Sequence, residues 1–437
     1  MKLAFYICFF SLVLLSCSKS QEGAVVAEEQ EGTEIMGNKP NILLVIADDM
    51  GLDATPGYDF GDVKPKMPNL EAMIANGIKF TNTWSYSVCA PTRASILTGK
   101  YGFRTNVLRA GDALSVTETS LHKYLDSQNS GYSHTVIGKW HLSSDINHPD
   151  NMGVVDFAGF KNGAVPSYSN WGFIEHAQTS NSTEYTTTKF TDLAIDWVEE
   201  QTQPWFLWLA YNAPHTPFHL PPNSLHSQGS LPEDASSINS NPLLYYLAML
   251  EAMDTEMGRL ISTFSQEVLD NTVIIFIGDN GSPNQVVQTY PKGRAKESLY
   301  QGGINVPMVI SGKNIKRSGV IEDALINTTD LYATIAEIAG LDIAEINDSK
   351  SFKSLFEASD KNIRTYAFSE LEDNSGNVDY AIRNETFKYI DFSNGGDAFY
   401  NLIDDPLESV NLLNTELSDI ENTNKLALQA EIVRLKQ

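Results

Sequence analysis

Cysteine is scarce in this chain: only Cys8, Cys17 and Cys89 occur among 437 residues. Two of them fall within the first seventeen positions, so a disulfide framework is excluded and stability has to come from a buried core. Cationic side chains are also short, with 30 Lys and Arg against 55 Asp and Glu and a net charge of −25. Proteins that track nucleic-acid phosphates carry basic surfaces, so no nucleic-acid partner is expected. An anionic ligand would need a local cationic pocket set against the global field. Long apolar runs are missing apart from Leu3 to Leu15, which is too short to cross a bilayer as a stable helix. No internal repeat is present. What remains is ample for a core: 42% of residues are hydrophobic and 10% aromatic, which suits one large domain plus a smaller one.

The N-terminus reads as an address. Lys2 precedes the apolar run, which ends Leu14-Leu15-Ser16-Cys17 and resembles a bacterial lipobox. Residues 1–16 are therefore expected to be a lipoprotein signal peptide, with Cys17 acylated as the membrane anchor. Residues 17–38 are polar and acidic and read as a flexible tether. Cys8 then leaves with the signal and Cys89 is the only free thiol. The expected location is outside the cytoplasm, as a periplasmic or cell-surface lipoprotein, for example on the outer membrane.

Short apolar runs that end in polar residues organise the rest. Asn41 to Ala47 runs into Asp48-Asp49, and His134 to Ile137 into Gly138-Lys139-Trp140-His141. Pro204 to Ala210 runs on to Pro214-His215, and Thr272 to Ile277 into Gly278-Asp279-Asn280-Gly281. Such runs suit strands buried on both faces of a mostly parallel sheet. Helical patterns lie between them (Met67 to Asn76, Ser120 to Gln128, Thr187 to Thr202, Leu243 to Gln266), which predicts an α/β fold with helices on both faces. Ligands in such folds bind at the carboxyl ends of the strands, the edge where these polar residues would converge. After about Glu345, segments such as Thr365 to Glu370, Val378 to Arg383 and Phe387 to Phe392 alternate like antiparallel strands, and Ser418 to Leu435 reads as a closing helix. The predicted organisation is a main domain over 39–345 and a smaller α+β subdomain over 346–437.

Asp48, Asp49, Asp279 and Asn280 offer only oxygen donors, a set that suits Ca²⁺ or Mg²⁺ and not zinc. Cys89-Ala-Pro-Thr-Arg93, continuing Ala-Ser-Ile-Leu-Thr-Gly99, resembles the signature of type I sulfatases, within the alkaline phosphatase-like superfamily. The GKWH segment at 138–141, PHTP at 214–217, GDNG at 278–281 and Lys296 to Pro307 follow in that family's order.

This resemblance implies an alkaline phosphatase-like sandwich, with a large mostly parallel sheet between helices and a smaller C-terminal sheet. It implies that a maturation enzyme oxidises Cys89 to formylglycine, whose hydrated aldehyde attacks sulfur and later releases sulfate by C–O cleavage. The ion would be one Ca²⁺, touching Asp48, Asp49, residue 89, Asp279 and Asn280. Arg93 would hold residue 89 and the metal-side carboxylates, with Lys139 and Lys296 on the sulfate. His141 would act as base on the hydrated aldehyde, and His215 with Lys296 would serve the leaving alcohol. The expected substrate is a sulfate ester of a carbohydrate or polysaccharide.

Gln301 and Asn305 depart from the family pattern, which sets Glu and Arg there, so support of nearby Lys296 is in question. Thr92 reads as a helix cap. The aromatic stretch from Asp150 to Ser182 (Phe157, Phe160, Tyr168, Trp171, Phe173) reads first as a surface loop with anchoring rings and second as a wall for a glycan, with His176, Phe218 and His219 as similar candidates. Asp330 and Asp405 read as structural. Two alternatives stay open: a phosphonate or phosphate ester hydrolase on the same fold, and a non-catalytic glycan-binding lipoprotein.

Overall fold

The computed structural model describes residues 39–360 and 362–437. The expected signal peptide, the Cys17 anchor and the tether lie outside the described residues. An eleven-stranded sheet forms the body. At its centre Thr272–Gly278, Asn41–Ala47, Trp205–Ala210 and Ser133–Lys139 lie side by side, all parallel. Beyond Thr272–Gly278 the sheet turns antiparallel at Asn305–Gly312, and beyond Ser133–Lys139 it ends in the antiparallel hairpin Trp171–Glu175 and Gln178–Ser182.

The central strands are apolar throughout because both faces are covered. Ile42, Leu44 and Ile46 enter one core, while Leu43, Val45 and Ala47 enter the other. Phe206 and Trp208 against Leu207 and Leu209 repeat the division. This period of two fixes register, since a one-residue slip would exchange the faces. Pro68–Asn76, Thr186–Glu199 and Pro242–Thr263 supply apolar helix faces to the second core, and Cys89–Thr98 and Asp330–Ile338 to the first.

The C-terminal part forms the four-stranded antiparallel sheet Ala367–Glu372, Val378–Arg383, Phe387–Asp391 and Ala398–Asn401. The helix Asp419–Leu435 covers it, with Leu428 and Ile432 packed among Phe387, Tyr389 and Phe399. Ser418 and Glu421 close this helix with a reciprocal capping box.

Register decides where the chemistry sits. Ala47 pairs with Gly278, Ile46 with Ala210, and Gly138 with Ala210. The four strands therefore end level, and the residues that follow them share one edge of the sheet. Gly138 holds φ of +110°, and a Cβ there would lie 2.0 Å from the Ala210 carbonyl oxygen. Only glycine lets these two strand ends approach so closely, one residue before Lys139.

Candidate active site

The floor of the site is buried charge. Asp48 and Asp49 leave the end of Asn41–Ala47, Asp279 and Asn280 leave Thr272–Gly278, and Lys139 closes Ser133–Lys139. All five are 0–1% exposed, as is Arg93. Cys89 is the first residue of its helix and 2% exposed. Lys139 Nζ donates to Asp48 Oδ2 at 2.5 Å and lies 3.3 Å from the Cys89 sulfur. Arg93 spans the floor, with Nη2 on Asp279 Oδ2 and Nη1 on the Lys139 carbonyl, both at 2.9 Å. Lys296 Nζ reaches Asp49 Oδ1 at 2.6 Å, and His215 Nε2 stands 3.7 Å from Asp49 Oδ2. His141, His215 and Lys296 keep partial exposure and form the mouth.

Two of these residues sit in backbone conformations that side chains seldom adopt. Asp49 has φ of +72° and His141 of +55°. Left-handed backbone of this kind is held in place by its surroundings and gathers at functional positions. The Tyr246 hydroxyl donates to the Asp49 carbonyl at 2.8 Å, and the Asp49 amide donates to Asp279 Oδ1 at 3.0 Å.

The charges shift one another. Burial alone would raise the Asp48 carboxyl, but Lys139, His215, Arg93 and Lys296 together hold it well below the usual carboxylate range. Burial and the neighbouring Asp48 push Asp279 the other way, against Arg93. Burial pushes the Cys89 thiol up to about 12, so at neutral pH it carries its proton and is a poor nucleophile as it stands. Burial, with Lys139 and Arg93 nearby, takes His141 down to about 2, so its imidazole is neutral. His141 Nδ1 is buried without a hydrogen-bond partner.

The donor set fits a hard cation. Asp48, Asp49, Cys89 and His215 each place one potential ligand atom within 4.8 Å of the others. Asp48 Oδ1 and Asn280 Oδ1 are buried oxygens with no hydrogen-bond partner. A buried acceptor left unmet is costly, and two on one floor suit an oxygen-seeking ion. Asp279 and Asp49 on the same floor are already hydrogen-bonded at both oxygens, Asp279 by Arg93 and the Asp49 amide, and Asp49 by Asn280 and Lys296.

All the residues singled out for chemistry in the sequence thus meet at one edge, but several supporting assignments need correction. Thr92 does not cap the helix, because the helix begins at Cys89 with Val88 before it. Its hydroxyl instead donates to the Asp279 carbonyl at 2.8 Å and accepts from the Tyr86 amide, tying the Cys89 helix to the Asp279 loop. Gln301 and Asn305 do not support Lys296. Gln301 Oε1 accepts from the Trp84 indole at 3.0 Å, and Asn305 Nδ2 donates to the Thr81 carbonyl. The loop aromatics form no glycan wall: Phe157, Phe160, Tyr168, Trp171 and Phe173 are all buried in the cores. Tyr168 lies beneath the mouth, its hydroxyl on the Asn212 and His215 carbonyls. His219 packs against Tyr168 with the rings tilted, and His176 is exposed on the outer hairpin turn. The sequence reading missed Asp53, Ser282 and Tyr246, which bond one another and brace the Asp49 loop. Nothing short-range announces them, since they meet only across the finished fold.

Comparison with known proteins places this geometry. The family profile described as "Sulfatase" matches residues 40–341, and one described as "N-sulphoglucosamine sulphohydrolase, C-terminal" matches residues 294–436. An uncharacterized sulfatase of Escherichia coli, YdeN, is 28% identical over 72% of this chain. The match spans 64% of that relative's length, just under two thirds. A solved structure in complex with its substrate D-glucosamine-2-N,6-O-disulfate superposes with a TM-score of 0.76 at 20% identity, covering 91% of this chain and 98% of the other. The phosphonate monoester hydrolase of Agrobacterium radiobacter superposes with a TM-score of 0.69, also at 20% identity, over 91% of this chain and 95% of its own. Likenesses this distant carry the fold alone, but the first profile covers well over half of the sequence: the chain belongs to the sulfatase family.

Proposed function

We propose that the protein hydrolyses sulfate esters of carbohydrates, with Cys89 converted to formylglycine and one Ca²⁺ held by Asp48, Asp49, Asp279, Asn280 and residue 89. The observation that carries this reading is the position of Cys89: first in a buried helix, its sulfur 3.3 Å from Lys139 Nζ and grouped with Asp48, Asp49 and His215. A protonated, buried thiol is inert there, whereas a hydrated aldehyde supplies a nucleophilic hydroxyl and a second one for release of sulfate. Bound Ca²⁺ would supply positive charge against the sulfate and lower the pKa of that hydroxyl.

The chain's own side chains divide the remaining work. Lys139 holds the reacting atom of residue 89 from one side, and Arg93 fixes Asp279 so that the floor cannot rearrange. Lys139 and Lys296 set cationic charge around an incoming sulfate, in a buried setting where such charge counts for more than in water. His141, with Nδ1 unpartnered, is the side chain left free to take a proton from residue 89. His215, at the mouth, is placed to give a proton to the leaving alcohol. The sulfated sugar bound by the fold neighbour supports carbohydrate as the substrate class. The lipobox-like segment supports export and anchoring through Cys17, and the Cys89 motif supports a formylglycine-generating maturation enzyme as partner.

The test is the mass of the proteolytic peptide containing residue 89, from protein made beside a maturation enzyme, read together with sulfate release from sulfated saccharides. An aldehyde in place of the thiol, with sulfate released, is the expected pair. An unmodified thiol in exported protein would sink the mechanism. Phosphonate monoesters are the control, and faster turnover of these than of any sulfate ester would favour the rival reading.

A further inference from the structure

A cavity opens beside the loop that carries His215. It has a volume of about 640 Å³, within the range of ligand pockets. One wall is the loop that carries His215: Thr216 and Phe218 line the cavity, and the Thr216 carbonyl bonds His215 Nδ1 at 2.8 Å. The opposite wall is the loop between Asn280 and Lys296, which contributes Gln285 and Lys292. Asn239, on the short helix Ala235–Ser240, closes the third side. The cavity thus lies against the two loops that carry His215 and Lys296.

Among the described residues no carboxylate lines this cavity, in a chain of 55 acidic residues against 30 basic ones, so Lys292 is its one charged group. Lys292 makes no ion pair with a described residue, unlike Lys139 and Lys296, which are held by aspartates. The loop that presents it is braced from the site: Asn284 accepts from the Gly293 amide at 2.7 Å and donates to the Lys296 carbonyl at 3.3 Å. Phe218 offers an aromatic ring of the kind sugars pack on, and Gln285 and Asn239 offer amides for hydroxyls.

We propose that this cavity binds the sugar next to the one that loses sulfate, and that Lys292 selects an anionic substituent on it, a carboxylate or a further sulfate. The inference rests on the functional reading above. The preferred substrate is then a polyanionic glycan and not an isolated sulfate ester.

Calorimetric titration of the full-length protein separates the cases, using inorganic sulfate and a sulfated hexosamine joined to a neutral hexose, to a hexuronate or to a sulfated hexose. The two saccharides with a second anion should bind about five- to tenfold tighter than the neutral pair. Lys292→Ala should erase that gain while leaving inorganic sulfate and the neutral pair unchanged, and Lys292→Arg should retain it. Gain with only one of the anionic partners identifies the group selected. No gain from either, or equal weakening of every saccharide by Lys292→Ala, would overturn the proposal. Conversion of Cys89 and sulfate release are read separately, so failure of the hydrolase reading is visible whatever Lys292 does.

Discussion

Two buried acidic centres in this molecule can be set side by side. Asp330, at the start of its helix, is fully buried, and each of its oxygens accepts twice: Arg364 at 2.5 and 2.6 Å, and the amides of Asn327 and Lys350 at 2.8 Å. Asp48 is as deeply buried, but Lys139 satisfies Oδ2 and nothing satisfies Oδ1. Asn280 keeps a second bare oxygen nearby. A saturated carboxylate holds a fold together; a carboxylate with lone pairs to spare, among cations, is prepared for something that arrives later.

Cys89→Ala should show the largest effect and the sharpest contrast. Sulfate release should fall by at least about 10³-fold, with the melting temperature close to that of the unconverted parent. His141→Ala should lower kcat by about 10²–10⁴ with little change in KM, as expected for loss of a proton acceptor. Asp330→Ala should do the reverse of both. It strands Arg364 in the interior and should cost about 3–5 kcal/mol in urea unfolding, while the folded fraction keeps its kcat. Chelation with EGTA should remove activity and lower stability by about 2–3 kcal/mol, reversed by Ca²⁺, and should leave the stability of Asp48→Asn unchanged.

The smallest expected effect concerns Glu370, a buried carboxyl with no cation bonded to it. Burial pushes it up to about 8 from an ordinary 4.5, and Oε2 has no hydrogen-bond partner. The folded state therefore binds the Glu370 proton more tightly than the unfolded chain does. Its contribution is fully present below pH 4.5 and is lost as pH rises towards 8. Glu370→Gln should flatten that decline and stabilise the protein at pH 9 by about 1–3 kcal/mol relative to pH 5, read from melting curves at the two pH values.

The sequence made the site legible because of how parallel strands are built. Buried on both faces, they are apolar to the last residue, so Asp48, Lys139 and Asp279 mark the carboxyl edge by the change of texture alone. What stayed hidden depends on long-range pairing. Thr92 looked like a cap because its role lies with the carbonyl of Asp279, far along the chain. Gln301 and Asn305 looked like failed supports for Lys296 because proximity in sequence is not proximity in space: one serves Trp84 and the other Thr81. The loop rings between 150 and 182 could have faced sugar or core, and composition does not tell an outward phenylalanine from an inward one. The antiparallel return of Asn305–Gly312 was equally silent, since its apolar run reads the same in either direction.

If Cys89 is converted as proposed, its depth sets a clock on the protein's biogenesis. A side chain 2% exposed, at the head of a wholly buried helix, is beyond the reach of another protein's catalytic groups. Any enzyme that converts it must therefore meet the chain while residues around 89 are still extended. The window closes when Asp279, nearly two hundred positions downstream, arrives to pair with Arg93 and trap Thr92. Under the proposed conversion of Cys89, folding and maturation compete, and a copy that folds first keeps its thiol for the lifetime of its native state.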